Sequence, residues 1–130
     1  MRYNRRDSNI YTSLLIFLYL RGKFMAKESR FQSKLIDEIE DRFPGCIVMK
    51  NDPNYIQGIP DLLILHNDKW AALECKRSEH EHRQPNQEYY ISVMDEMSFA
   101  SFVYPENKEE VLDAMEQALQ PRRKTRVSKR

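Results

Sequence analysis

The chain has 130 residues, 41% of them hydrophobic and 32% charged, which fits one globular domain with its own core and no need of disulfides. Three Gly and six Pro exclude a collagenous or Gly-rich disordered chain. The net charge of +1 hides an asymmetry: residues 1–24 hold five Lys/Arg and one Asp (+4), residues 25–120 ten Lys/Arg and nineteen Asp/Glu (−9), and residues 121–130 six Lys/Arg and no acid (+6). An acidic body with basic ends is not the profile of a simple DNA-coating module. It allows an acidic site that takes a cation, with basic segments drawing in a polyanion, and equally an ordinary acidic domain with a basic tail.

Along the chain, residues 1–24 stand apart. Arg2, Arg5 and Arg6 precede an apolar run from Ile10 to Leu20, and Arg21 and Lys23 follow it. The layout is that of a signal peptide without a small-x-small cleavage site, and the run is too short to span a bilayer. Three readings compete: a secretion signal, an accessory helix, or sequence upstream of a true start at Met25. The last is favoured, and the domain is expected to cover residues 25–120. Phe31, Leu35, Ile36, Ile39 and Phe43 recur at helical spacing and predict a helix over 26–43, ended by Pro44-Gly45. Cys46 to Met49 predicts a short buried strand. Residues 51–60 form a loop with two Pro and one Gly.

Residues 61–66 (DLLILH) and 69–76 (KWAALECK) predict two strands around the turn Asn67-Asp68. Residues 77–84 are a polar loop. Pro85 suits the first turn of a second helix with a core stripe of Tyr90, Val93, Met94 and Met97. Phe99 to Tyr104 predicts a fourth strand. Asn107 and Glu110 suggest a capping box for a last helix, whose buried face is Val111, Leu112, Met115, Ala118 and Leu119, and which Pro121 stops. The order is α-β-β-β-α-β-α, followed by a disordered basic tail. Cys46 and Cys75 both lie in apolar runs and read as reduced core thiols of a cytosolic protein, and neither CxxC nor CxxH occurs to suggest structural zinc.

The chemistry concentrates in the hairpin. With Asn67 and Asp68 as its turn, His66 pairs with Lys69, paired residue numbers sum to 135, and Asp61 falls opposite Glu74. Opposed residues share a face with Cβ atoms about 4.5–5.5 Å apart, so two carboxylates there repel. A shared proton or a bound cation must compensate. Lys76 lies two residues beyond Glu74 and returns to the same face. Two carboxylates and a backbone carbonyl suit a hard divalent ion such as magnesium, while a lysine stabilises developing charge. Each residue alone would pass for a solvated strand end or a turn residue. Their opposition on otherwise apolar strands favours a site.

Pro60-Asp61, twelve intervening residues, then Glu74-Cys75-Lys76 resembles the PD-(D/E)xK nuclease signature. The KESRFQ helix, the GIPDLLIL and WAALECKR strands and the glutamine at the start of the following helix are similar to the VRR-NUC group, found in phages and DNA-repair nucleases. The resemblance covers roughly residues 25–105. It implies an α/β fold with an αβββαβ core, a mixed central sheet flanked by helices, plus a C-terminal helix. It implies Asp61 and Glu74 as metal ligands with the main-chain carbonyl of Cys75, Lys76 as catalytic lysine, Glu28 as a further acid from the first helix, and Gln87 as the helix-borne glutamine. Glu28 reads equally as a first-turn glutamate favoured by the helix dipole.

The expectation is thus a magnesium-dependent deoxyribonuclease, with manganese able to substitute, acting in the cytoplasm (a bacterial host's, for a phage protein) and not at a membrane. With no separate DNA-reading domain, it is expected to select branched DNA, a junction or flap, and to act as a homodimer. Arg77, Arg83, Arg122, Arg123 and Lys124 are the candidate phosphate contacts. Restriction, recombination or packaging nucleases, and an inactive DNA-binding module of the same fold, are the alternatives. Glu79, His80, Glu81 and His82 resemble a metal cluster in composition but read as a solvated loop. Gly58 suits a turn or a close approach to substrate. Trp70, Tyr89 and Tyr90 read as packing residues.

Overall fold

The computed structural model describes residues 5–121, apart from the side chains of residues 5–9, 24 and 25. Seven elements follow one another in the expected order: α1 (Arg5–Arg42), β1 (Ile47–Lys50), β2 (Leu62–His66), β3 (Lys69–Cys75), α2 (Pro85–Met97), β4 (Phe99–Val103) and α3 (Lys108–Ala118). The strands form one mixed sheet in the order β1-β2-β3-β4. β1, β2 and β3 are antiparallel neighbours, whereas β4 runs parallel to β3. The molecule is therefore of the α/β class.

The core lies between one sheet face and the helices α1 and α3. Leu35, Ile39 and Phe43 of α1 meet Leu62 and Ile64 of β2, Ala71, Leu73 and Cys75 of β3, Val103 of β4, and Val111, Leu112 and Met115 of α3, with Leu119 just after it. Arg42 ties α1 to α3 through Asp113 and Glu116, and Lys108 reaches Glu38 at 2.7 Å. Helix α2 packs on β3 and β4, on the other face, where Ala72, Ala100 and Phe102 are buried. β3 is thus covered on both sides from Ala71 to Cys75.

Several expectations are corrected. The first helix begins not at residue 26 but upstream, at Arg5, and runs unbroken for 38 residues, about 57 Å at 1.5 Å per residue. Core-facing periodicity marks only the part of a helix that buries something. Adding turns to a formed helix costs little, and no Pro interrupts residues 5–42. The apolar run Ile10 to Leu20 is exposed throughout. Among the described residues, no helix is long and apolar enough to cross a membrane.

β1 starts one residue later than expected and is an edge strand, not a buried one. Cys46 and Val48 pack against the core, but Ile47 is 58% exposed because α2 does not cover this part of the sheet. In α2 no residue is buried, and Met97, assigned to the core stripe, is 70% exposed. Asn107 occupies the N-cap of α3 but makes no cap bond. Its amide turns back to β4, accepting from Tyr104 N (2.8 Å) and donating to Phe102 O (3.1 Å). Ala118 is only half-buried. Tyr89 is exposed, edge-on to Tyr90 at 5.2 Å between ring centres.

Gly58 has φ +88°, and a Cβ there would lie 2.4 Å from Asn86 Cβ and 2.9 Å from the Asn86 carbonyl carbon. The close approach is to the start of α2, so the 51–60 loop is pressed against the helix that carries Gln87. Gly58→Ala is expected to lower stability by about 2–3 kcal/mol through left-handed strain and overlap, read as a drop in the urea midpoint at unchanged slope.

Candidate functional site at the end of the hairpin

The Asn67 turn residue takes a left-handed φ of 56°, and β2 and β3 pair in the 135 register from His66–Lys69 to Leu62–Leu73. Asp61 precedes β2 and stands opposite Glu74. Each carboxylate is held by the other strand's main chain: Asp61 N donates to Glu74 Oε2 (3.1 Å), and Cys75 N donates to Asp61 Oδ2 (2.9 Å). Lys76 follows the end of β3 and is fixed to β4 by its main-chain N–H to Val103 O (2.8 Å).

The site is completed from α2 and the loop before it. Gln87, in the first turn of α2, donates through Nε2 to Glu74 Oε1 (2.7 Å). Its Oε1 accepts from Lys76 Nζ (2.7 Å) and from Gln84 N at the helix N-cap (3.0 Å). Lys76 Nζ also donates to His82 O (3.2 Å). Glu74 and Lys76, 4% and 6% exposed, are the only buried charged residues among those described.

Burial penalises ionisation here. The Glu74 carboxyl is pushed up to about 8, first by burial and then by Asp61. Asp61 is raised by burial, against the opposing pull of the Cys75 N–H. Glu28, from α1, is raised by burial and then by Glu81 and Asp61, so four carboxylates share one field. The Cys75 thiol is raised by burial and then by Asp61 and Glu74, and is an inert core group. Both cysteines are free thiols.

Comparison with known protein families, curated proteins and solved structures finds no match.

The donor set suits a divalent ion. The Cys75 N–H binds only Oδ2 of Asp61, and a cation at the pair would offset the burial that raises both carboxyls and the Asp61 charge that adds to the rise at Glu74. Among the described residues, no three or more His, Cys, Asp or Glu side chains come together closely enough to hold a metal by themselves. The fit is therefore to an ion held by two carboxylates, a main-chain carbonyl and water, the habit of magnesium rather than zinc.

The other candidates divide. Arg77 is held by Glu81, whose carboxylate accepts from Arg77 N (2.5 Å) and Nε (3.3 Å). Glu81 is thus no solvated loop residue. The i,i+4 spacing of Arg77 and Glu81 is the signal that marks it. Glu79, His80 and His82 do have exposed side chains. Arg83 stacks on Phe102 with its guanidinium carbon 4.1 Å from the ring centre, a packing contact beside Glu74, which pairs with Phe102 across the sheet. Arg122, Arg123 and Lys124 lie outside the described residues.

Proposed function

We propose that the chain is a divalent-metal-dependent DNA endonuclease with a PD-(D/E)xK core of the VRR-NUC kind. The observation that carries the proposal is the constellation of half-buried Asp61 with buried Glu74 and Lys76 at one end of the sheet, Asp61 and Glu74 each held by the other strand's main chain and Glu74 joined to Lys76 through Gln87. An ordinary sheet does not oppose a buried carboxylate with a half-buried one beside a buried ammonium that makes no ion pair with either. The element order around the mixed sheet supports the same reading.

Asp61, Glu74 and the Cys75 carbonyl would hold the ion, with Glu28 adding negative charge to its surroundings rather than a third ligand. A bound magnesium would polarise a phosphoryl oxygen and lower the pKa of water. Lys76 supplies a fixed positive charge for the pentacovalent phosphate, and Gln87 fixes where that charge sits. Glu74, oriented by Asp61 N and Gln87 Nε2, keeps one geometry while its charge is offset. Selection of branched DNA by a homodimer is part of the proposal, and manganese would replace magnesium.

The test is cleavage of linear, flap and four-way DNA with magnesium, with manganese and with EDTA. Branched substrates should be cut with either metal and not in EDTA. Asp61→Asn should lower the rate at least ~10³-fold. A folded protein that cuts none of the substrates with either metal would overturn the assignment.

A further inference from the structure

Four cations of α1 fall on one side of the helix. Lys23, Lys27, Arg30 and Lys34 are spaced i, i+4, i+7 and i+11. That keeps them within roughly 60° of arc and spreads them over ~16 Å of helix axis. Two cavities open along this side. One, of about 360 Å³, is lined by Leu20, Lys23, Lys27 and Arg30. The other, also about 360 Å³, is lined by Lys27, Arg30, Phe31, Lys34, Arg77 and Pro105. They share Lys27 and Arg30 and so form one groove, which ends at Arg77, the residue after Lys76.

The four α1 cations of this groove form no ion pair among the described residues, and only Arg77 at its end is paired, with Glu81. Elsewhere α1 and α3 pair their cations, Arg42 with Asp113 and Glu116, and Lys108 with Glu38. Among the described residues, no carboxylate comes within ion-pair distance of Lys23, Lys27, Arg30 or Lys34. Arg30 Nε turns to Ala26 O of its own helix (3.2 Å), and Lys23 lies over the Tyr19 ring. A row of uncompensated cations on an otherwise acidic body is a local field for a polyanion. A DNA strand carries one phosphate per ~3.4 Å of duplex axis, so the row faces several consecutive phosphates.

We infer that the groove from Lys23 to Lys34, ending at Arg77, is the track that holds the phosphodiester backbone flanking the bond to be cut. The inference rests on the nuclease reading of Asp61, Glu74 and Lys76. Arg77 joins the two: its main chain continues from Lys76, and its guanidinium is steadied by Glu81 (3.3 Å) at the groove's end. An anionic lipid surface would also attract lysines. A concave groove that ends at Arg77, one residue from Lys76, fits a strand of DNA better than a flat headgroup layer.

The experiment is DNA binding by the full chain in EDTA, where nothing is cut, followed by anisotropy of a labelled four-way junction from about 50 to 200 mM salt. Four proteins are compared: wild type, Lys27→Gln/Lys34→Gln, Lys27→Arg/Lys34→Arg, and Lys69→Gln. Lys69 serves as the control because its ammonium binds Ala118 O (3.2 Å) at the opposite end of β3. The Gln pair should flatten the slope of log K against log salt by about 1.4–1.8, two contacts' worth, and weaken binding about tenfold or more. The Arg pair should keep the wild-type slope, and so should Lys69→Gln. An unchanged slope in the Gln pair overturns the track, as does an equal loss in Lys69→Gln. Wild type that binds phosphatidylserine vesicles and not the junction overturns it too. Cleavage with magnesium is scored separately. Protein that binds with the expected slopes but never cuts keeps the track and removes the nuclease. Protein that cuts while the Gln pair binds as wild type does removes the track alone.

Discussion

Lys76→Ala is expected to slow cleavage of branched DNA about 10²–10³-fold at saturating magnesium. Lys76 is 6% exposed and its ammonium donates to Gln87 Oε1 and His82 O, so it sits in one place in a poorly screened setting, where a charge is worth most to a developing negative charge. Asp61 and Glu74 remain, so the rise in melting temperature caused by magnesium should persist by linkage. Lys76→Met keeps the length of the stem and should be as inactive as Lys76→Ala while folding better. Single-turnover cleavage paired with melts separates the effects. A Lys76→Met protein that cuts at the wild-type rate would remove the lysine from the chemistry.

The second large effect is the pH dependence of the metal-free fold. The Glu74 carboxyl titrates near 8 in the folded chain against a reference of 4.5. The folded state therefore holds this proton more tightly than the unfolded chain does. The resulting stability is fully present below about pH 4.5 and is lost as pH rises through about 8. At about 1.4 kcal/mol per unit the loss is a few kcal/mol, or roughly 10 °C in Tm. In EDTA, Tm should fall between pH 5 and 9. Glu74→Gln should lose much of that slope, so it gains on wild type as pH rises. Magnesium at pH 8 should restore wild type and do little for the variant. A wild-type Tm flat across this range, or a variant that tracks it, would mean the pair carries no electrostatic strain.

The hairpin was the most legible part of the chain. A two-residue turn fixes a register, and a register fixes which residues face each other, so the Asp61–Glu74 opposition followed from counting. Where the chain offered only an apolar run, it did not say how many faces would be covered. Cys46 to Met49 reads alike for a central and an edge strand, and Met97 reads alike for a core and a rim position. Asn107 had two ways to use one amide, and β4 took it. The basic row of α1 was present at helical spacing, yet any solvated helix face has such a pattern. Summing charge over residues 25–120 averaged it away. Only the groove walls, Arg77 and Pro105 from distant parts of the chain, distinguish it.

Gln87 has a consequence beyond tethering. It stands between the ammonium of Lys76 and the carboxylate of Glu74, offering its oxygen to one and its nitrogen to the other. A neutral amide thus keeps the two groups from meeting directly. Left to meet at about 4 Å, such a pair would attract by ~4 kcal/mol at an effective dielectric of 20, and each would be spent on the other. With the dipole interposed, both side chains are ordered and no direct ion pair forms between them. A glutamate in its place would accept from the lysine but face Glu74 as a like charge, and a lysine would do the reverse. An uncharged side chain with a donor at one corner and an acceptor at the other meets both demands, and glutamine has the length to span them from the first turn of α2.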